Sequence, residues 1–136
     1  MDGRYQTDMA QTEKKHIDIF LQLQDPISQC EYLLMLGMKK PALDSLREDR
    51  YRIGGCRTAI WIRADNQGGT VHFTGDSDSL LVRGVLSILE ELYDGKTPEA
   101  IKAHPMRFLD YISDDVIYSE IKENGLLKCY QILARA

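Results

Sequence analysis

A chain of 136 residues, 43% hydrophobic and 28% charged, has the balance of one folded domain with a core of its own, and excludes a disordered polypeptide. A formal charge of −4 argues against nucleic acid as the main partner. No apolar run reaches the roughly 18–20 residues that span a bilayer, and the first residues, Met1 to Gln6, lack a signal peptide's apolar stretch. The expectation is a cytoplasmic protein with no membrane partner and a single domain over 1–136.

In chain order, residues 1–11 are polar and expected to be flexible. A first helix is predicted from Thr12, with Ile17, Phe20, Leu21 and Leu23 as its apolar stripe. Asp25-Pro26 restarts the chain, because Asp suits an N-cap and Pro the first helical position. This second helix is predicted to run to about Met35, burying Ile27, Cys30, Leu33, Leu34 and Met38, with Gly37 as its stop. Lys39–Asp49 reads as a connection. Two strands follow, Tyr51–Ile53 and Thr58–Ala64, joined through Gly54-Gly55 and Cys56. Ile60 and Ile62 lie on one face of the second, opposite Trp61.

Residues 65–69 read as a turn and Thr70–Gly75 as a third strand, giving a three-stranded antiparallel meander. Gly75-Asp76-Ser77-Asp78-Ser79 ends the sheet and offers N-caps to the strongest helix, whose core face is Leu81, Val85, Ile88, Leu89 and Leu92. Asp94-Gly95 stops it. Thr97-Pro98 opens a short helix that His104-Pro105 breaks, and Met106–Ile112 reads as another. Val116–Ala136 is helical in its second half, with Leu126, Leu127, Tyr130, Ile132 and Leu133 apolar and Asn124-Gly125 as a kink or true start. Helices at both chain ends around a central meander make the class α+β.

The chemistry concentrates on Cys56. The three cysteines, Cys30, Cys56 and Cys129, are too widely spaced for a disulfide framework, and no CxxC or Cys/His cluster has zinc spacing, so no metal or cofactor is expected. Cys30 and Cys129 fall within helical apolar patterns and read as core. Cys56 instead follows a glycine pair and stands beside Arg57, with Arg52 close by. A guanidinium favours the thiolate, which is the attacking species, while glycines leave approach open.

The surrounding stretch is locally basic. Between Lys39 and Arg63 stand seven cations (Lys39, Lys40, Arg47, Arg50, Arg52, Arg57, Arg63) against three acids (Asp44, Glu48, Asp49). This is either solvated surface or a docking face for an acidic partner. No His or Asp at a readable spacing supplies a base and its orienter, so a cysteine hydrolase is poorly supported. Asp76-Ser77-Asp78 reads as helix capping rather than a metal pair. His16, His72 and His104 read as ordinary surface or half-buried histidines.

Several motifs together resemble the SufE/CsdE-like sulfur acceptor family: Gly55-Cys56 with Trp61 five residues on, Gly75-Asp76-Ser77-Asp78, Val82-Arg83-Gly84, and Gly95-Lys96-Thr97-Pro98. The similarity runs from about Phe20 to Ala134. It implies a protein that activates a PLP-dependent cysteine desulfurase of SufS or CsdA type. It would take sulfane sulfur as a persulfide on Cys56 and pass it to iron–sulfur scaffold proteins, as a monomer or homodimer in the cytoplasm. Thiol exchange of that kind needs thiolate and access, not a protease-like triad. The resemblance also implies a fold like that of the IscU/NifU scaffolds, leaving a cluster or metal scaffold as the alternative. Gly54, Gly55, Arg52, Arg57 and Lys122 are the residues expected to support the thiolate or the docking. Two departures stand out: Arg57-Thr58-Ala59 where the family carries polar residues with a glutamine, and Lys122 where an arginine precedes Asn-Gly-Leu. Arginine and lysine differ in donor geometry.

Overall fold

The computed structural model describes residues 2–54 and 57–136. Three strands, β1 (Arg52–Ile53), β2 (Ile60–Gln67) and β3 (Thr70–Ser77), form an antiparallel meander in the order β1-β2-β3. Among the described residues six α-helices flank it: α1 (Asp2–Gln22), α2 (Pro26–Lys39), α3 (Leu80–Tyr93), α4 (Pro98–Ala103), the single-turn α5 (Ser119–Ile121) and α6 (Leu127–Arg135). The α+β class and the meander are as expected. β2 and β3 stay in register from Ile60 opposite Ser77 to Gln67 opposite Thr70, so residues 65–67 belong to a strand and the turn is only Gly68-Gly69.

Alternation does the rest. Ile60, Ile62, Val71 and Phe73 face inward onto α3, which buries Val82, Val85, Leu86, Ile88, Leu89 and Leu92. The outer edge of β3 is closed: Val71 exchanges backbone hydrogen bonds with Gly95 and Lys96, while the Phe73 and Gly75 N–H groups donate to the carboxylates of Asp94 and Glu90. Three helix starts are capped as the local residues dictate, by Asp25 on Ser28 N, Ser79 on Val82 N and Thr97 on Ala100 N.

Two helices depart from expectation. α1 begins at Asp2, not Thr12, and Met9 is fully buried while Leu21 is exposed. Its inward stripe is Met9, Glu13, His16 and Phe20, and the two polar members conceal it from a hydrophobic pattern. Both polar groups are satisfied. Glu13 accepts the N–H groups of Arg107 and Phe108 and meets His104, while His16 lies between Tyr32 (2.9 Å) and Glu91 (2.6 Å).

α2 runs through Gly37 to Lys39 and turns Gln29, Leu33 and Gly37 inward, leaving Ile27 and Met38 exposed and Cys30 half-buried. The cause is a glycine crossing. A Cβ on Gly37 would lie 2.2 Å from Leu80 O, and one on Gly84 2.2 Å from Leu33 O, so α2 and α3 meet backbone to backbone. At the C-terminus, Leu126, Cys129 and Leu133 face the core, while Leu127 and Ile132 are substantially exposed.

Candidate functional site

The loop that joins β1 to β2 is held at both ends. At its start, Gly54 has φ +73, in the left-handed region where side-chain-bearing residues are strained. Its Cα backs onto the C-terminal segment: a Cβ there would stand 2.2 Å from Asn124 O and 3.4 Å from Gly125 Cα. At its end, Ala59 is clamped by the segment between β3 and α3. The Ala59 N–H donates to Asp78 Oδ1 (3.2 Å), and its carbonyl accepts from Ser77 Oγ (2.7 Å). Between these anchors, Arg57 is exposed and Thr58 half-buried; Gly55 and Cys56, two of the predicted site residues, lie outside the described residues.

Replacing Gly54 by Ala tests the first anchor. The left-handed backbone alone costs about 1–2 kcal/mol for a residue with a Cβ, and the carbonyl contact adds to it. Urea unfolding of Gly54→Ala is expected to show a lower midpoint by at least that free energy. A midpoint equal to wild type would show that the loop leaves β1 by another path.

The base of the hairpin is built from arginines and aromatics. Arg52 pairs across the strands with Trp61, and the Arg47 guanidinium lies 5.0 Å over the Trp61 ring. Arg47 is fixed there by Asp76, the cross-strand neighbour of Trp61. Asp76 is fully buried and was expected to cap α3. Instead its carboxylate accepts Arg47 Nε at 2.8 Å and the N–H groups of Leu43 and Ser77, and it makes an ion pair at 3.1 Å with Arg83, whose Nε–H donates to Ser77 O. Burial alone would raise its pKa; the Arg47 hydrogen bond and the two N–H groups outweigh it and hold the carboxyl below its usual value. The same contact holds Arg47 above its usual value.

The basic stretch therefore divides in two. Arg47 is committed to Asp76, Arg50 (over Tyr51 at 4.6 Å) pairs with Glu48, and Arg63 pairs with Asp65. Arg52 and Arg57 are exposed and enter no ion pair among the described residues. Lys122, grouped with them on sequence, turns its ammonium to Ile112 O and to Asp114 Oδ1 (2.9 Å). Its link to the loop runs through the backbone of its own turn, two residues on, at Asn124.

The other predicted players stand apart. His16 pairs with Glu91, His104 with Glu13, and His72 lies 3.8 Å from Asp94. Cys129 is fully buried on α6 and Cys30 packs against the core from α2. No cluster of three or more His, Cys, Asp or Glu side chains able to hold a metal forms among the described residues, and none of the described helices is long and apolar enough to cross a membrane. Sequence reading missed Asp76 and Ser77 as supports and Asn124 as the surface behind Gly54. The excess of Arg residues upstream of β2 was the available signal for Asp76.

Comparison with known proteins gives concordant results. The family model described as "SufE: Fe-S metabolism associated domain" matches residues 14–136. The chain is 34% identical over 110 residues to the sulfur acceptor protein CsdE of Escherichia coli, covering 74% of each. It is 28% identical over 120 residues to an uncharacterized SufE-like protein of Synechocystis, covering 88% of this chain and 76% of that one. A solution structure of a hypothetical protein from Thermus thermophilus has the same fold, with TM-score 0.63 at 20% identity over 91% of each chain.

Proposed function

We propose that this chain, which belongs to the SufE family of Fe-S metabolism associated domains, is the sulfur acceptor of a PLP-dependent cysteine desulfurase and carries the sulfur as a persulfide on Cys56. The observation that carries this reading is the likeness to a named sulfur acceptor protein, joined to a cysteine loop clamped at Gly54 and Ala59. The chemistry is exchange at a sulfur–sulfur bond. The Cys56 thiolate attacks the outer sulfur of a persulfide on the desulfurase. The bond within that persulfide breaks, the desulfurase cysteine leaves as thiolate, and a new S–S bond forms on Cys56. One neutral sulfur atom moves, with no net oxidation, so no base or metal is required on the acceptor.

The supporting residues take roles that their chemistry supports. Arg52 and Arg57 are exposed cations close to Cys56 in the sequence, a charge that favours the thiolate and complements an acidic face on the desulfurase. Gly54 lets the chain pass close against Asn124, Gly55 adds no side chain next to Cys56, and Lys122 supports the segment behind Gly54. Delivery is to iron–sulfur scaffold proteins in the cytoplasm, and desulfurase turnover rises because its persulfide is unloaded.

The test is direct. Incubation with a cysteine desulfurase and cysteine is expected to add one reducible sulfur to the Cys56 peptide, read by mass spectrometry. Sulfur on Cys30 or Cys129 instead, or none with several desulfurases, would reject the reading.

A further inference from the structure

The element behind Gly54 is a helical irregularity. Between α5 and α6, Lys122–Leu126 form a π turn, in which the Leu127 N–H donates to the carbonyl of Lys122 five residues back instead of four. Such a turn accommodates one extra residue at the expense of hydrogen-bond geometry, and it is rare enough to need a local cause.

Two sets of contacts hold it. The Lys122 ammonium ties its first residue to Ile112 O and Asp114, while Gly125 and Leu126 are buried at its far end. Between them the Asn124 carbonyl meets Gly54 so closely that only a hydrogen on Cα fits. A regular helix advances each residue by a fixed rotation, so removing the extra residue would carry that carbonyl away from Gly54.

We infer that the π turn Lys122–Leu126 is a seat that sets the position of the loop carrying Cys56, with Lys122, Asn124 and Gly125 as positioning residues. The inference rests on the acceptor reading for its function, though not for its geometry. Cys56 is two residues beyond Gly54, and two residues reach at most about 7 Å, so displacement of the seat passes to the thiol with little room to dissipate. Transfer between two cysteines on different proteins is sensitive to that placement, since the attacking sulfur must meet the outer sulfur in line.

Two disruptive variants and one restoring variant test this. Deletion of the exposed Glu123 removes the extra residue and leaves the sequence of α6, with Cys129 and Leu133 on its buried face, unchanged. Lys122→Met keeps the stem but releases the first anchor, and Lys122→Arg restores a donor to Ile112 O and Asp114. Circular dichroism and urea midpoints report folding. Cys56 alkylation across a pH series reports the thiol, and kcat and KM with a desulfurase report transfer.

Both disrupted variants are expected to lower kcat by about tenfold to a hundredfold, to leave KM near wild type, and to change the alkylation profile, with Lys122→Arg recovering both. If the deletion unfolds the chain, the two Lys122 variants decide. Folded variants with wild-type alkylation and kcat would overturn the seat. A changed alkylation profile in a chain whose wild type takes no sulfur would overturn the acceptor reading and leave the seat standing.

Discussion

Cys56→Ser is expected to reduce sulfur uptake to background while leaving the fold and the urea midpoint unchanged. A serine hydroxyl is a weak nucleophile at its ordinary pKa, and oxygen cannot form the sulfur–sulfur bond of the proposed persulfide. Neither of the other two cysteines is exposed. Cys129 is fully buried on α6 and Cys30 packs against the core. Cys30→Ala and Cys129→Ala are therefore expected to load sulfur as wild type does, Cys129→Ala at a stability cost of about 1 kcal/mol. Desulfurase turnover should follow the same division: stimulated by wild type and by the Cys30 and Cys129 variants, and unstimulated by Cys56→Ser. Full stimulation by Cys56→Ser would mean that the chain acts on the desulfurase by binding alone.

What a sequence shows of such a protein depends on how far apart the interacting residues lie. Asp25, Ser79 and Thr97 were legible as caps because each bonds an N–H three residues away. The strands were legible because alternation at Ile60 to Ile62 and Val71 to Phe73 reports one buried face. Cys56 was singled out by its immediate neighbours, a glycine pair and an arginine.

The misread features are tertiary. The inward face of α2 is decided by a glycine crossing with α3, and Gly84 is 47 positions beyond Gly37. α1 hides its stripe because Glu13 and His16 are buried against partners on α3 and around His104 to Phe108. Asp76 resembled a cap because Asp-Ser-Asp-Ser offers several acceptors in a row. Its partner Arg47 lies 29 residues upstream. Asn124-Gly125 was legible as a break in the helix; its contact with Gly54 was not, because nothing local specifies it.

Asp76 is also where the second large effect is expected. Asp76→Asn should cost about 3 kcal/mol at neutral pH, because removing one partner of a buried charge cluster leaves the others uncompensated. The lower part of the usual range applies, since the side chains of Arg47 and Arg83 are 30% and 17% exposed and water can reach them. The loss should also depend on pH. The folded-state pKa of Asp76 is depressed, so the unfolded chain binds the proton more tightly and stability rises with pH through this window. The contribution is complete above the unfolded carboxyl value of about 4 and is lost as pH falls through the lower folded value. Asp25 and Glu91, also depressed, shape the acid limb of both proteins and cancel in the difference. Urea midpoints of wild type and Asp76→Asn should therefore converge on acidification below about pH 4. A gap that stayed constant with pH would show that Asp76 acts through shape rather than charge. Because Asp76 holds Arg47 on Trp61, opposite Arg52, the variant should lose sulfur-transfer rate as well. The base of the cysteine hairpin and the stability of the sheet rest on the same carboxylate.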